Sequence, residues 1–137
     1  MQIRVYYDDT DAGGVVYHAN YLKFCERARS EIFFTHGKSP AIEGGHFVVR
    51  RVEAEFIKSA KLGDLLDVKS VLLELKNASL HVKHEIYKGD EKLFEMTVLL
   101  AFVKEGKVAK IDEATKRVFQ AELPDSEERK LPAKRKD

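Results

Sequence analysis

The chain has 137 residues, enough for one domain of ordinary size with little room for a second. Hydrophobic (44%) and charged (34%) residues balance as in soluble globular proteins, and a formal net charge of +1 argues against a nucleic-acid binder that works by neutralising phosphates. The single cysteine, Cys25, excludes an intrachain disulfide framework, and no apolar run reaches the roughly 18–20 residues that span a bilayer.

The opening MQIRVYYDD carries acids where a signal peptide needs an apolar core, so the expected compartment is the cytosol. Ile3, Val5 and Tyr7 alternate with Gln2, Arg4 and Tyr6, which predicts a first strand. DDTDAGG, residues 8–14, reads as a loop because its acids and glycines resist regular structure. From about Asn20 to His36, Tyr21, Cys25, Ala28 and Ile32 recur at spacings of three and four. That spacing predicts a long helix capped by Asn20 and closed by Gly37 and Pro40.

The period then switches to two. Val52, Ala54 and Phe56 oppose Arg51, Glu53 and Glu55, and KLGD (61–64) turns the chain into a strand over Leu65–Leu75. Asn77 and Gly89–Asp90 mark tight turns flanking a strand with Leu80, Val82, His84 and Ile86 on one face. Phe94, Met96, Val98, Leu100 and Phe102 follow on the last long strand. That strand is apolar on its other face too, through Leu93, Leu99, Ala101 and Val103, which predicts a second covered surface such as a subunit contact. Such short connections require antiparallel neighbours. The expected fold class is therefore α+β, a five-stranded antiparallel sheet curled around one long helix. A short amphipathic helix around Asp112–Gln120 ends the domain, which is expected to span 1–123, and residues 124–137 form a polar, mobile tail.

The residues that carry chemistry cluster in YYDDTDAGGVVYHANY, Tyr6 to Tyr21. Asp8, Asp9 and Asp11 occupy a glycine-containing loop that feeds a helix N-terminus, while Val15, Val16 and Tyr17 pin its far end into the core. Unsatisfied amides at a helix start favour negative charge and make an oxyanion site when they face a cleft. The competing reading is a polar turn before a helix. Asp8 and Asp9 are expected to be solvated loop acids, because neighbouring residues point to opposite sides. Glu26 is expected to pair with Arg29 or Arg27 on the helix. His81 and His84 cannot chelate one ion from a strand, and Cys25 belongs to the helix's apolar stripe. No metal site is expected.

The block Asp9-Thr10-Asp11-Ala12-Gly13-Gly14-Val15-Val16-Tyr17-His18-Ala19-Asn20-Tyr21 closely resembles the signature of the 4-hydroxybenzoyl-CoA thioesterase family. Glu26-Arg27-Ala28-Arg29 also fits its Tol–Pal-associated acyl-CoA thioesterase (YbgC-type) branch, as does the order of elements over residues 1–123. The resemblance implies a hotdog fold, a homo-oligomer built from dimers (a dimer or a tetramer), and a site at the subunit interface. The implied activity is hydrolysis of an acyl-CoA or acyl-carrier-protein thioester, with no cofactor because coenzyme A is part of the substrate. A role in lipid or envelope metabolism follows by the same analogy. Asp11 is the implied catalytic carboxylate, acting as general base or nucleophile. Backbone around Tyr17, His18 and Ala19 polarises the thioester carbonyl. His18 either acts through its side chain or holds position, and Tyr7 lines the site. Val16, Tyr17, Ala19, Lys58, Lys61, Lys76 and Ser79 complete the expected substrate contacts, the lysines for coenzyme A phosphates. Three readings compete: a non-catalytic acyl-CoA-binding or scaffolding module, a hotdog hydro-lyase, and a D-x-D phosphatase, which would need a parallel sheet.

Overall fold

A computed structural model describes residues 1–42 and 44–124, so all of the expected tail except Pro124 lies outside the described residues. The chain runs through β1 (Gln2–Arg4), one 3₁₀ turn (Tyr7–Asp9), α1 (His18–Phe34), β2 (Gly45–Phe56), β3 (Leu65–Leu75), β4 (Ser79–Lys88), β5 (Glu91–Lys104), the two-residue β6 (Lys107–Val108) and α2 (Glu113–Glu122).

The strands form one sheet in the order β1-β3-β4-β5-β2, with β6 paired to the end of β5. Every neighbouring pair is antiparallel, which removes the phosphatase alternative. Register shifts at Val49/Arg51, Leu72/Glu74 and Ile86/Tyr87 insert bulges, and bulges bend strands. The sheet accordingly curls around α1. Its inward rows are continuous across four strands: Leu72, Val82, Val98 and Val52 form one, and Ser70, His84, Met96 and Ala54 form the next. Against them α1 buries Tyr21, Phe24, Cys25, Ala28, Ile32 and Phe33. Full burial of such side chains contributes about 1.5–3 kcal/mol each, so this stripe holds α1 in place far more than helix propensity does.

The ends of the elements refine the sequence reading. The first strand stops at Arg4, earlier than Tyr7, because the chain turns into the 3₁₀ segment there. The extended backbone of Tyr17 caps α1, while Asn20 lies inside its first turn. The helix closes with Lys38 N–H on Phe33 O (2.9 Å) and Gly37 N–H on Phe34 O (3.0 Å), with Gly37 at φ 68°. These are the two bonds of a Schellman motif, which needs a left-handed residue. Asp112 caps α2 by accepting the Thr115 N–H at 2.7 Å, and α2 packs Phe119 edge-on against Phe33 and Phe47.

Of the residues expected on the other face of β5, Leu93 and Ala101 are buried and Leu99 and Val103 half-buried. Lys83, Glu85, Lys92 and Glu95 form a linked ion-pair group across β4 and β5. The edge strand β2 is different: Val49, Ala54 and Phe56 lie on the row that faces the helix side, yet all three are exposed.

Candidate active site at the Asp11 loop and the start of helix α1

The site is built by two short segments tied together through one backbone carbonyl. The 3₁₀ turn buries Asp9, whose carboxylate Oδ2 accepts the Tyr6 N–H at 3.0 Å. Asp9 O then accepts both the Tyr17 N–H (3.1 Å) and the Asn20 Nδ2–H (2.8 Å). Asp9 is thus a structural clamp and not the solvated acid expected from the sequence, whereas Asp8 is exposed as expected. Asn20 fastens the loop to the helix instead of capping the helix.

Between these anchors the chain makes a tight reversal. Thr10 bridges to Val16 and Val15 bridges to Lys61 in antiparallel fashion. Val16 donates its N–H to Ala60 O at 2.8 Å, and Leu62 N–H reaches Gly14 O at 3.1 Å. Tyr21, buried beneath, accepts the Ala60 N–H on its hydroxyl at 2.9 Å. Burial pushes that hydroxyl's pKa up, so it stays neutral. The loop is therefore held from both sides by main-chain bonds.

Asp11 sits exposed at the tip of this reversal. Its Oδ1 accepts the Gly13 N–H at 2.8 Å and, at a longer 3.4 Å, the Val15 N–H. Among the described residues, no protein donor reaches Oδ2. One oxygen is fixed by the loop and the other is left without a partner among the described residues. Gly13 leaves room for this arrangement, since a Cβ there would stand 3.3 Å from Asp11 Oδ1.

At the start of α1, the His18 and Ala19 amides have no intrahelical acceptor and both residues are exposed. The His18 ring stacks edge-on against Phe56 at 4.8 Å, so the end of β2 orients it. Phe56 in turn contacts Tyr21 and Phe94. Phe56, Asn20 and Tyr21 are the supporting residues that sequence reasoning missed, because each acts through a partner distant in the chain.

The structure brings Tyr7, Asp11, Tyr17, His18 and Ala19 to one end of the molecule. Tyr7 has an exposed ring, and its carbonyl accepts both the N–H and the Oγ1–H of Thr10. Tyr17 is also exposed, whereas Val16 is buried with its N–H already engaged. Lys61 lies beside the loop, and Lys58 follows β2 at the same end. Lys76 and Ser79 flank the β3–β4 turn at the opposite end of the sheet. Ten strand steps of about 3.3 Å separate them from the loop end, roughly 33 Å. Lys58 is engaged by Glu91 (2.5 Å), which raises its pKa, and Lys76 lies 3.8 Å from Glu74. Lys61 has no carboxylate within 4 Å of its ammonium among the described residues.

The remaining titratable groups are structural. Cys25 is fully buried and its thiol pKa is pushed up to about 12 by burial, which removes it as a nucleophile. Among the described residues, no three His, Cys, Asp or Glu side chains group to hold a metal ion. Glu26 forms no ion pair with Arg27 or Arg29. Arg27 lies over the Phe24 ring at 6.0 Å, and Arg29 turns inward to His84.

Residues 13–95 match the family model of the thioesterase superfamily. An acyl-CoA thioesterase YbgC of Helicobacter pylori is 51% identical over 87 residues, which cover 64% of this chain and 65% of that protein, just under two thirds of its length. The acyl-CoA thioesterase YbgC of Haemophilus influenzae is 41% identical over 110 residues, 77% of this chain and 81% of that one. The crystal structure of a probable thioesterase from Bartonella henselae superposes with a TM-score of 0.77 at 36% identity, covering 82% of this chain and 97% of that one. With its antiparallel sheet curled around α1, the chain belongs to the thioesterase superfamily and has its hotdog fold.

Proposed function

We propose that the chain hydrolyses acyl-CoA thioesters to free acid and coenzyme A, with Asp11 as the reacting carboxylate. The observation that carries this reading is the asymmetry of Asp11: the loop that leads into the uncapped start of α1 fixes Oδ1 while, among the described residues, Oδ2 is left without a protein donor. A thioester has a good leaving group, so one placed carboxylate and an oxyanion site suffice. In the general-base route, Oδ2 takes a proton from water as the water oxygen bonds to the carbonyl carbon. The resulting oxyanion is held by the His18 and Ala19 amides, each such donor being worth about 3–4 kcal/mol. The C–S bond then breaks and the thiolate recovers the proton from Asp11. In the alternative route Oδ2 attacks the carbonyl carbon and the C–S bond breaks to release the thiolate, leaving a mixed anhydride that water opens to free acid and the Asp11 carboxylate, its proton passing to the thiolate. Label found in Asp11 after a single turnover in ¹⁸O-labelled water establishes the anhydride route, because only water opening the anhydride at the Asp11 carbonyl carbon puts it there.

The working unit in this reading is a homodimer or a tetramer of such dimers. β2 is a 12-residue edge strand with exposed apolar side chains, the kind of edge that soluble proteins rarely leave unpaired. Pairing two β2 strands would cover those side chains and bring a second copy to the seam beside His18. Lys61, free of a carboxylate partner among the described residues and adjacent to the loop, is the cation best placed for a coenzyme A phosphate. Lys76 and Ser79 reach substrate only from another subunit. An acyl carrier protein offers the same thioester and falls within the substrate class.

The test is release of free thiol from short, medium, long and aromatic acyl-CoAs by the purified chain. Turnover of at least one class supports the assignment. Binding of acyl-CoA without thiol release would overturn it in favour of a binding module.

A further inference from the structure

Two groups have to cooperate in the proposed hydrolysis: the Asp11 carboxylate and the amides at the start of α1. They belong to different segments, and the fold ties those segments together on both flanks. On one flank the Asp9 carbonyl takes the Tyr17 N–H and the Asn20 side chain. On the other the tie is a single residue, Ala60, which follows β2 and is fully buried. Its carbonyl accepts the Val16 N–H at 2.8 Å, and its N–H goes to the hydroxyl oxygen of Tyr21 at 2.9 Å.

Packing alone does not require that oxygen. The Tyr21 ring is held by the core, stacked on Phe94 at 5.0 Å and edge-on to Phe24 at 6.3 Å, and a phenylalanine would make both contacts. The hydroxyl reaches past them to a segment outside α1 and the strands. Beyond Ala60, Val15 bridges to Lys61 and the Leu62 N–H reaches Gly14 O, so this segment carries the far side of the Asp11 loop. Val15 then gives its carbonyl to the Asp11 N–H at 2.9 Å and its own N–H to Asp11 Oδ1 at 3.4 Å. Tyr21 also lies three residues after His18 in α1, about 4.5 Å along the axis at 1.5 Å per residue. One side chain therefore joins the loop's support to the helical turn that carries the His18 and Ala19 amides.

We propose that Tyr21 is a positioning residue for the hydrolysis, its hydroxyl setting through Ala60 where the Asp11 carboxylate stands relative to the α1 amides; this rests on Asp11 being the reacting group. Without that oxygen the Ala60 N–H has no acceptor among the described residues, and a buried amide without a partner moves until it finds one. Residues 57–62 and Val16 move with it. A displacement on the order of 1 Å at a reacting group costs up to about 100-fold in rate.

Tyr21→Phe tests this, because it keeps the ring and deletes only the acceptor. With an acyl-CoA that the wild type hydrolyses, kcat should fall about tenfold or more while KM stays within about twofold. Ile32→Val, a core change near the other end of α1, lowers stability without touching the loop, and its kcat should match the wild type. A second readout needs no turnover. In the wild type the Ala60 and Val16 amides should exchange hydrogen as slowly as a core strand amide such as Val98, and Tyr21→Phe should speed those two relative to Val98. Turnover by Tyr21→Phe at the wild-type kcat, or an equal loss in Ile32→Val, would overturn the proposal and leave Tyr21 as a packing residue. So would Ala60 and Val16 amides that exchange far faster than Val98 in the wild type, a result that stands even if Tyr21→Phe does not fold. A wild type that releases no thiol would overturn the hydrolysis assignment and this proposal with it. Failure of the proposal alone looks different: the wild type turns over and only the effect of Tyr21 is missing.

Discussion

Acid should destabilise this fold through His84 specifically. The ring is fully buried between Ser70 and Arg29, and its pKa in the folded chain lies near 3 against an ordinary value of 6.5. As pH falls through 6.5 the unfolded chain takes up a proton on this ring, while the folded chain refuses it until near pH 3. Stability is therefore fully present above about 6.5 and is lost progressively between 6.5 and 3. For one such group the loss from pH 7 to pH 5 is about 2 kcal/mol, and each further unit down to about 3 costs roughly 1.4 kcal/mol more. The assay is urea unfolding at both pH values and equal protein concentration, for the wild type and His84→Gln. Glutamine offers an acceptor to Arg29 and a donor to Ser70 but does not titrate, so carboxylate contributions cancel in the comparison. The wild type should lose about 2 kcal/mol more than the variant between pH 7 and pH 5. Equal losses would refute the reasoning and place the native His84 pKa close to 6.5.

Asn20→Ala removes the side-chain bond to Asp9 O that ties the loop to α1, and should cost about 1 kcal/mol in urea unfolding together with a several-fold drop in kcat for thiol release. Gly45→Ala places a Cβ 2.4 Å from the Phe102 ring and 2.9 Å from Lys104 Cγ, so thermal melts should show a loss of about 1–3 kcal/mol from overpacking. Lys61→Ala should raise KM for acyl-CoA several-fold and flatten its salt dependence, whereas Lys58→Ala, already neutralised by Glu91, should change KM by less than about twofold.

The long elements were legible because periodicity reports burial directly. Tyr21, Cys25, Ala28 and Ile32 announce α1, and β3 spans Leu65–Leu75 as its alternation predicts. Where a boundary moved, a long-range bond outweighed the local signal. Asn20 carries a helix-capping side chain but spends it on Asp9 O, and Tyr17, a poor capping residue, takes the cap position because its own N–H is bound to that same carbonyl. Asp9 reads as a polar loop residue since nothing local reveals that the Tyr6 amide converges on its carboxylate. The Glu26–Arg29 pair has ideal helical spacing, yet His84 on a strand 55 positions later captures the arginine. The family resemblance puts Lys76 and Ser79 among the expected substrate contacts, but the length of β3 and β4 sets them at the far end of one protomer. The Asp11 loop itself was readable as a motif. The unequal treatment of its two carboxylate oxygens was not, as it depends on where the Gly13 and Val15 amides point.

The central claim is that Asp11 carries the chemistry, and Asp11→Asn tests it most directly. Asparagine preserves the shape and can still accept the Gly13 N–H on its amide oxygen, but it removes both base and nucleophile. With an acyl-CoA that the wild type hydrolyses, kcat/KM should fall by about 100-fold or more while the unfolding midpoint changes little. An Asp11→Asn chain that hydrolyses acyl-CoA at the wild-type rate would contradict the account, and would move the reacting carboxylate away from this loop.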